Sequence, residues 1–429
     1  MSVIPNVTVL PQATVQDTFP DVLNEVHNGT IIAEDIWLSC YKSGEPSVHG
    51  KVGTGLHAVD RGTVELSGRD GVQFERVQDF KYRARCETLG VDTQMLLPVQ
   101  SYADPVRSET KLPHQISAFD VSSDTSLLAS AFSDGTLTVQ HLRAIATSGS
   151  PYPPRQQYIL EPVASARLHL STIAAVQLLP GPSPILASAG ADFRLHVTPL
   201  PSPVSPTTSA IQPSTTLTGH TRALTSLIVL DQTVSGSGTV TLASGGKDGT
   251  LRLWDVSTAS QLSVLGTHGL KIPTSLAVSA ADPHVVWTAL SDGGAQAFDA
   301  RSRTSTHIVE PDALGCGPLA SIATCDDGAL LLGGGRGVVG VYDPRAGQMR
   351  ARWTRGGAAP VEAVAALPGG HALLGGEDGL PYMASLDDNI PRLEAELVFG
   401  DVEGVRCARV KGDEIWLAGD GGVIRRYAP

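Results

Sequence analysis

His220, Ser244 and Asp248 fall in one stretch of the chain, with Trp254-Asp255 close behind. A serine nucleophile, a histidine base and an aspartate that orients the base would make a hydrolytic triad of these residue types. Local structure argues against it. The run Thr241-Leu-Ala-Ser-Gly-Gly-Lys-Asp-Gly-Thr-Leu-Arg-Leu-Trp-Asp255 alternates apolar with small or polar residues, breaks at Lys247-Asp248-Gly249 and resumes at Leu251 and Leu253. That pattern predicts a hairpin closed by an Asp-Gly turn. The aspartate then sits in a turn and the serine inside a strand, and the sequence contains no Gly-x-Ser-x-Gly elbow. Gly333-Gly-Gly-Arg-Gly337 is glycine-rich but occupies a strand-turn-strand position, with no helix N-terminus to receive a phosphate. No His-Glu-x-x-His, paired-cysteine or P-loop pattern appears. Neither an enzymatic role nor a metal or cofactor is expected.

The hairpin recurs along the chain. Phe132-Ser-Asp134-Gly, Gly190-Ala-Asp192-Phe, Lys247-Asp248-Gly249, Leu290-Ser-Asp292-Gly, Gly335-Arg336-Gly337, Glu377-Asp378-Gly379 and Gly419-Asp420-Gly421 mark seven turns. Each follows a strand rich in small residues, such as Leu332-Gly-Gly, and precedes a strand such as Gln296-Ala-Phe298-Asp299 or Val339-Gly-Val-Tyr342-Asp343. The later turns recur at intervals of about 42–44 residues, within the ~40–45-residue period of a four-stranded repeat. The first two intervals are longer. They contain Ala146-Thr-Ser-Gly-Ser-Pro-Tyr-Pro-Pro-Arg155 and Pro199-Leu-Pro-Ser-Pro-Val-Ser-Pro-Thr-Thr208, whose proline density opposes a sheet ladder and predicts mobile loops on one face. Ser150, Ser202 and Ser205 each precede proline there and offer phosphate-acceptor sites, with neutral insertions the favoured reading.

Gly219-His220, then Asp248-Gly249, then Trp254-Asp255 resembles the blade signature of the WD40 propeller. The resemblance implies an all-β, seven-bladed propeller over residues 111–429, preceded by a small β-rich extension over residues 1–110. In such blades His220, Ser244, Asp248 and Trp254 would form a buried hydrogen-bond chain, which makes them architecture. Within the extension, residues 1–30 are expected to be flexible or partly helical. Ile36-Trp-Leu-Ser-Cys-Tyr41 and Gly62-Thr-Val-Glu-Leu66 read as strands around a turn at Gly44-Glu-Pro46. The last repeat reads one strand short after Tyr427, so an N-terminal strand, Thr93-Gln-Met-Leu-Leu-Pro-Val99, is expected to complete it and leave no open edge.

With 17% charged residues, 45 Gly and 29 Pro, the chain is turn-rich and lacks the charge bias of a disordered protein. Its net charge of −12 disfavours nucleic acid and favours a basic protein partner. No apolar run reaches a membrane span, and Met1-Ser-Val-Ile-Pro-Asn carries no basic leader. The five scattered cysteines fit a reducing compartment, cytoplasm and nucleus, better than a disulfide framework.

Ile36-Trp-Leu-Ser-Cys-Tyr-Lys-Ser-Gly-Glu-Pro-Ser-Val-His-Gly50, Gly376-Glu-Asp-Gly379, Ser385-Leu-Asp-Asp388 and Ile415-Trp-Leu-Ala-Gly-Asp-Gly-Gly-Val-Ile-Arg-Arg-Tyr427 resemble the proteasomal ATPase-associated factor family. The resemblance spans both ends and the third repeat. It implies a monomeric, non-enzymatic chaperone for assembly of the proteasome regulatory particle base. The partner would be an ATPase subunit of the base, held by its C-terminal domain. Glu310, Asp312, Glu377, Asp401 and Glu403, on the face of the Asp-Gly turns, are the expected contacts. A second acidic set, Asp326, Asp327, Asp387, Asp388, Asp413 and Glu414, falls on the opposite face. The alternative is a substrate receptor of a cullin-type ubiquitin ligase, or a generic scaffold. Phe298-Asp-Ala-Arg301 and Tyr342-Asp-Pro-Arg345 approximate the Trp-Asp-x-Arg box of such receptors, with Phe and Tyr in place of Trp.

Overall fold

The computed structural model describes residues 6–428 apart from 61, 105–114, 147–151, 154, 180–183, 201–210, 231–239, 358, 388 and 399–402. Seven four-stranded antiparallel units follow one another along the chain. Their first strands are Ile116–Val121, Ile173–Leu179, Leu224–Leu230, Pro273–Val278, Leu319–Thr324, Ala363–Leu367 and Val405–Lys411. Each first strand packs on the next, and the seventh packs back on the first, so the units form a closed ring of blades. The second strands Leu127–Phe132, Thr241–Gly246 and Leu330–Gly334 are buried along their whole length, and those of the other blades are buried beyond their first residue. Neighbouring blades cover both of their faces, which is why small and apolar residues replace strict alternation there. The core is accordingly distributed between blades. Trp254 packs with Leu195 and Leu217 of blade two, and Phe298 packs with Leu251 and Leu253 of blade three.

The ring is closed by a strand from the N-terminal side, Gln100–Ala103. It pairs antiparallel with Val423–Tyr427, placing Ala103 opposite Val423 and Gln100 opposite Arg426. The segment expected in this position, Thr93–Val99, lies elsewhere. Val91–Leu96 runs parallel to Ile390–Leu397 on the outer edge of blade six, and only Val99 reaches the closing ladder, through its N–H to the Arg426 carbonyl at 2.8 Å. Pro98, which has no N–H, divides the two strands. The closing strand is polar by composition, yet Gln100 is fully buried. Its amide donates to the carbonyls of Arg143 (3.2 Å) and Ala144 (3.1 Å), and its oxygen accepts from Arg426 (2.8 Å) and Tyr102 (3.1 Å). These bonds tie blade seven to the end of the third strand of blade one.

The extension contains a separate four-stranded sheet in the order Gln12–Val15, Ala33–Tyr41, Val48–Leu56, Val64–Arg69. Helix Phe19–His27 buries Phe19, Leu23 and Val26 in the same core as Ile36, Leu38 and Val52. Gln73–Gln78, Lys81–Cys86 and Val91–Leu96 widen blade six to seven strands, and Thr8–Val9 adds in parallel to blade five. One buried ion pair fastens this arrangement. Glu396 Oε1 accepts from Arg355 and from the Ala13 N–H (2.8 Å), and both acid and base are almost wholly buried.

The described residues of the first proline-rich insertion are anchored to the fold, contrary to expectation. Tyr152 is buried in the extension core, and its hydroxyl accepts from the Val64 N–H at 2.7 Å. Just beyond, Gln156–Ile159 forms an outer strand on the closing segment. Proline excludes a ladder at its own position only; it leaves an intervening tyrosine free to plug a core. Most of the second insertion, with Ser202 and Ser205, lies outside the described residues, as does Ser150.

Tyr102 is 2% exposed and packs on Trp416 across the closing ladder. Tyr102→Ala is expected to lower stability by about 3–5 kcal/mol, measured by denaturant unfolding. Wild-type stability would show that the ring does not depend on this strand.

Candidate functional site

In blade three the linker from blade two, the second strand and the following turn bring four polar side chains together. His220 Nδ1 lies 3.0 Å from Asp248 Oδ2 and its Nε2 lies 2.9 Å from Ser244 Oγ, while Trp254 Nε1 donates to the same Oγ at 2.8 Å. Asp248 also accepts from the Thr221 N–H (3.0 Å) and Thr250 Oγ1 (2.7 Å). Burial alone would push the Asp248 carboxyl up. The Thr250 and Thr221 bonds, with His220 beside them, bring it instead to about 2. Burial holds the His220 imidazole below its usual range. Both imidazole nitrogens are engaged and Ser244 is fully buried, so no substrate reaches this serine. Gly246 is required here, since a Cβ would stand 2.5 Å from His220 Nδ1.

Blade two contains an equivalent that the sequence reading did not identify. His169 Nδ1 lies 2.8 Å from Asp192 Oδ1 and its Nε2 lies 2.8 Å from Ser188 Oγ, with Asp192 Oδ2 accepting the Leu170 N–H at 3.1 Å. The signal was the serine. Ser188 precedes Asp192 by the interval that separates Ser244 from Asp248, but Leu168 stands where the third unit has Gly219. Thr198 holds the position of Trp254, and its buried Oγ1 has no partner among the described residues. His196 lies 4.5 Å from His169, ring to ring, and Asp192 completes a group with metal-ligand atoms. A cation between Nδ1 and Oδ1 needs about 2 Å to each, so a separation of 2.8 Å is that of a hydrogen bond.

The Asp-Gly turns and the linkers between blades share one face. Glu310 and Asp312 lie exposed at a short helix, Pro311–Leu314, between blades four and five, while Glu377 lies in the blade-six turn and Glu403 leads into blade seven. Asp401 lies outside the described residues. The acids do not form one cluster. Arg406 at the channel pairs with Asp420 (2.8 Å), Glu377 (3.6 Å) and Glu362 (3.9 Å), and burial pushes the Glu362 carboxyl up. Glu310 stands 4.0 Å from His268. On the opposite face Asp327 pairs with Arg350, and Glu414 with Arg426. Asp326 and Asp413 occupy the adjoining turns, Asp387 ends a strand, and Asp388 is outside the described residues. The arginines of the two box-like segments serve their own surroundings: Arg301 pairs with Asp299 and Asp282, each at 3.0 Å, and Arg345 donates to the Asp327 carbonyl at 2.9 Å. Between the faces, the first strands enclose a channel of about 510 Å³ lined by Gln177, Ser226, Ser275, Glu362 and Arg406.

The closed ring of four-stranded blades defines a β-propeller. Residues 211–255, the stretch containing the blade-three hydrogen-bond chain up to Trp254-Asp255, match the family model described as WD domain, G-beta repeat. The chain thus carries a WD40 repeat within a ring of the propeller type. No match to a curated protein was found. No helix among the described residues is long and apolar enough to cross a membrane.

Burial holds the His169, His196 and His220 imidazoles low, His196 at about 4. The unfolded chain therefore takes up protons that the fold refuses, and stability is lost as pH falls below ~6.5. For His196 the loss should continue to about pH 4 and reach on the order of 2–3 kcal/mol. Denaturant unfolding at pH 7 and pH 4.5 measures it. His196→Asn should reduce the difference, and an unchanged difference would remove His196 from the account.

Proposed function

We propose that the protein is a non-enzymatic scaffold for protein assembly, working through the face that carries the turns and blade linkers. The observation that carries this reading is the division of labour among polar groups. The His-Ser-Asp constellations are sealed in the blades, whereas Glu310, Asp312 and Glu377 stand exposed on that face. A rigid ring with charged loops is suited to recognition, in which electrostatic complementarity sets rate and specificity.

Within that reading, the partner is an ATPase subunit of the proteasome regulatory particle base, bound by its C-terminal domain during assembly. Support comes from the resemblance of Ile36–Gly50 and of the last two blades to the assembly factors. A net charge of −12 suits a basic partner domain. A disc seated on the ATPase would occupy space needed by the core particle and delay its docking. Cytoplasm and nucleus are the compartments in which this role would be exercised.

Affinity purification from source cells tests the assignment. Base subunits without core-particle subunits are the expected recovery, and a cullin adaptor in their place would overturn it. Glu377→Lys with Glu403→Lys is expected to weaken binding of the ATPase C-terminal domain about tenfold at low salt, with a smaller effect as ionic strength rises. Wild-type affinity in the double variant would reject this face.

A further inference from the structure

The same face changes character over blades two to four. Leu170, Phe193 and Leu270 are exposed there at 75, 47 and 67%. Two of them are also in unfavourable backbone conformations, Phe193 at φ 71° and Leu270 at φ 53°. A bulky side chain in the left-handed region is costly, and exposure gives it no compensating burial. Gly249 fills the position of Phe193 in blade three at φ 75°, so glycine would serve the turn equally well.

Charge accompanies these residues. Arg194, Arg222 and Lys247 are exposed and make no ion pair among the described residues. Lys271 stands 3.7 Å from Asp292. The acids of the blade-two and blade-three turns, Asp192 and Asp248, are buried against their histidines. Glu310 beside His268 marks the far edge of the arc and Asp134 the near one. Lys247 reaches the rim of a depression of about 730 Å³ at the channel mouth, walled by Ala191, Ala223, Ile272 and Pro318, with Glu362, the partner of Arg406, also in its lining.

We propose that this arc is a second docking surface, which takes an acidic protein segment bearing apolar anchor residues. Leu170, Phe193 and Leu270 meet the anchors, Arg194, Arg222 and Lys247 meet the carboxylates, and the depression receives the segment where it crosses toward the channel. Arg194, Arg222 and Lys247 have no acid paired to them among the described residues, and the apolar side chains among them supply the desolvated contacts that hold a peptide. The surface excludes Glu310, Asp312, Glu377 and Glu403, meets the acids of blades four to seven only at Glu362, and goes beyond the ATPase assignment.

Selection of random twelve-residue peptides displayed on phage against the full chain tests it. The enriched peptides should be rich in Asp and Glu with Phe, Leu or Trp. A synthetic peptide from that pool should lose at least tenfold in affinity on Arg222→Glu with Lys247→Glu. Phe193→Gly should weaken binding by a similar factor while melting at or above the wild-type temperature, a combination that a purely structural role would not give. Glu377→Lys with Glu403→Lys should leave peptide affinity at or above the wild-type value, so failure of the ATPase reading is separable. Absence of enrichment, enrichment without acids, or unchanged affinity in the Phe193→Gly variant would overturn the proposal.

Discussion

A ring of sheets must bond its last unit to its first without help from sequence neighbours. Here that requirement falls on Gln100–Ala103. The strand completes the blade that ends at Tyr427, and the buried Gln100 amide reaches the carbonyls of Arg143 and Ala144 at the start of the first insertion. Without it, the Val423–Tyr427 strand would be an open edge, and the packing between blade seven and blade one would lose Tyr102. Blade-to-blade packing is a circular chain of contacts, so a gap at one joint removes a neighbour from both blades beside it.

The polar chain of blade three and its relative in blade two act as struts across the linkers. Each fixes a linker to the turn of its blade by a histidine whose two nitrogens are both used, and in both the His, Ser and Asp members all find partners. Blade four manages without one, using Phe298 where blade three has Trp254. The struts therefore favour particular blade joints, and the repeated apolar contacts do the rest.

The seven-fold period was legible because the turns need Asp-Gly or its near relatives at fixed places. What escaped notice followed from reading residues by type alone. Gln100-Ser-Tyr-Ala103 looks like a polar connector until the Arg426 and Arg143 contacts make its burial favourable, whereas Thr93–Val99, more apolar, finds its place beside Glu396 on blade six. His169 was hidden by Leu168 in place of glycine and by a His-to-Asp interval of 23 residues, against 28 in blade three. Tyr152 was hidden by the prolines around it. On the face of the Asp-Gly turns, sequence shows the number of acids and cations but not which are paired, because which arginines are already spent on partners is a matter of tertiary geometry. Arg406 is spent; Arg222 makes no ion pair among the described residues.

The closing joint also sets a schedule. On the ribosome, Gln100–Ala103 emerges long before Val423–Tyr427, and at ~5–20 residues per second about 320 residues of intervening chain take roughly 15–65 s to make. Throughout that interval the strand's ladder groups lack their final partner, and a more apolar sequence would invite pairing with other chains. A strand spelled Gln-Ser-Tyr-Ala tolerates such waiting, and its polar composition serves the nascent chain as much as the finished ring.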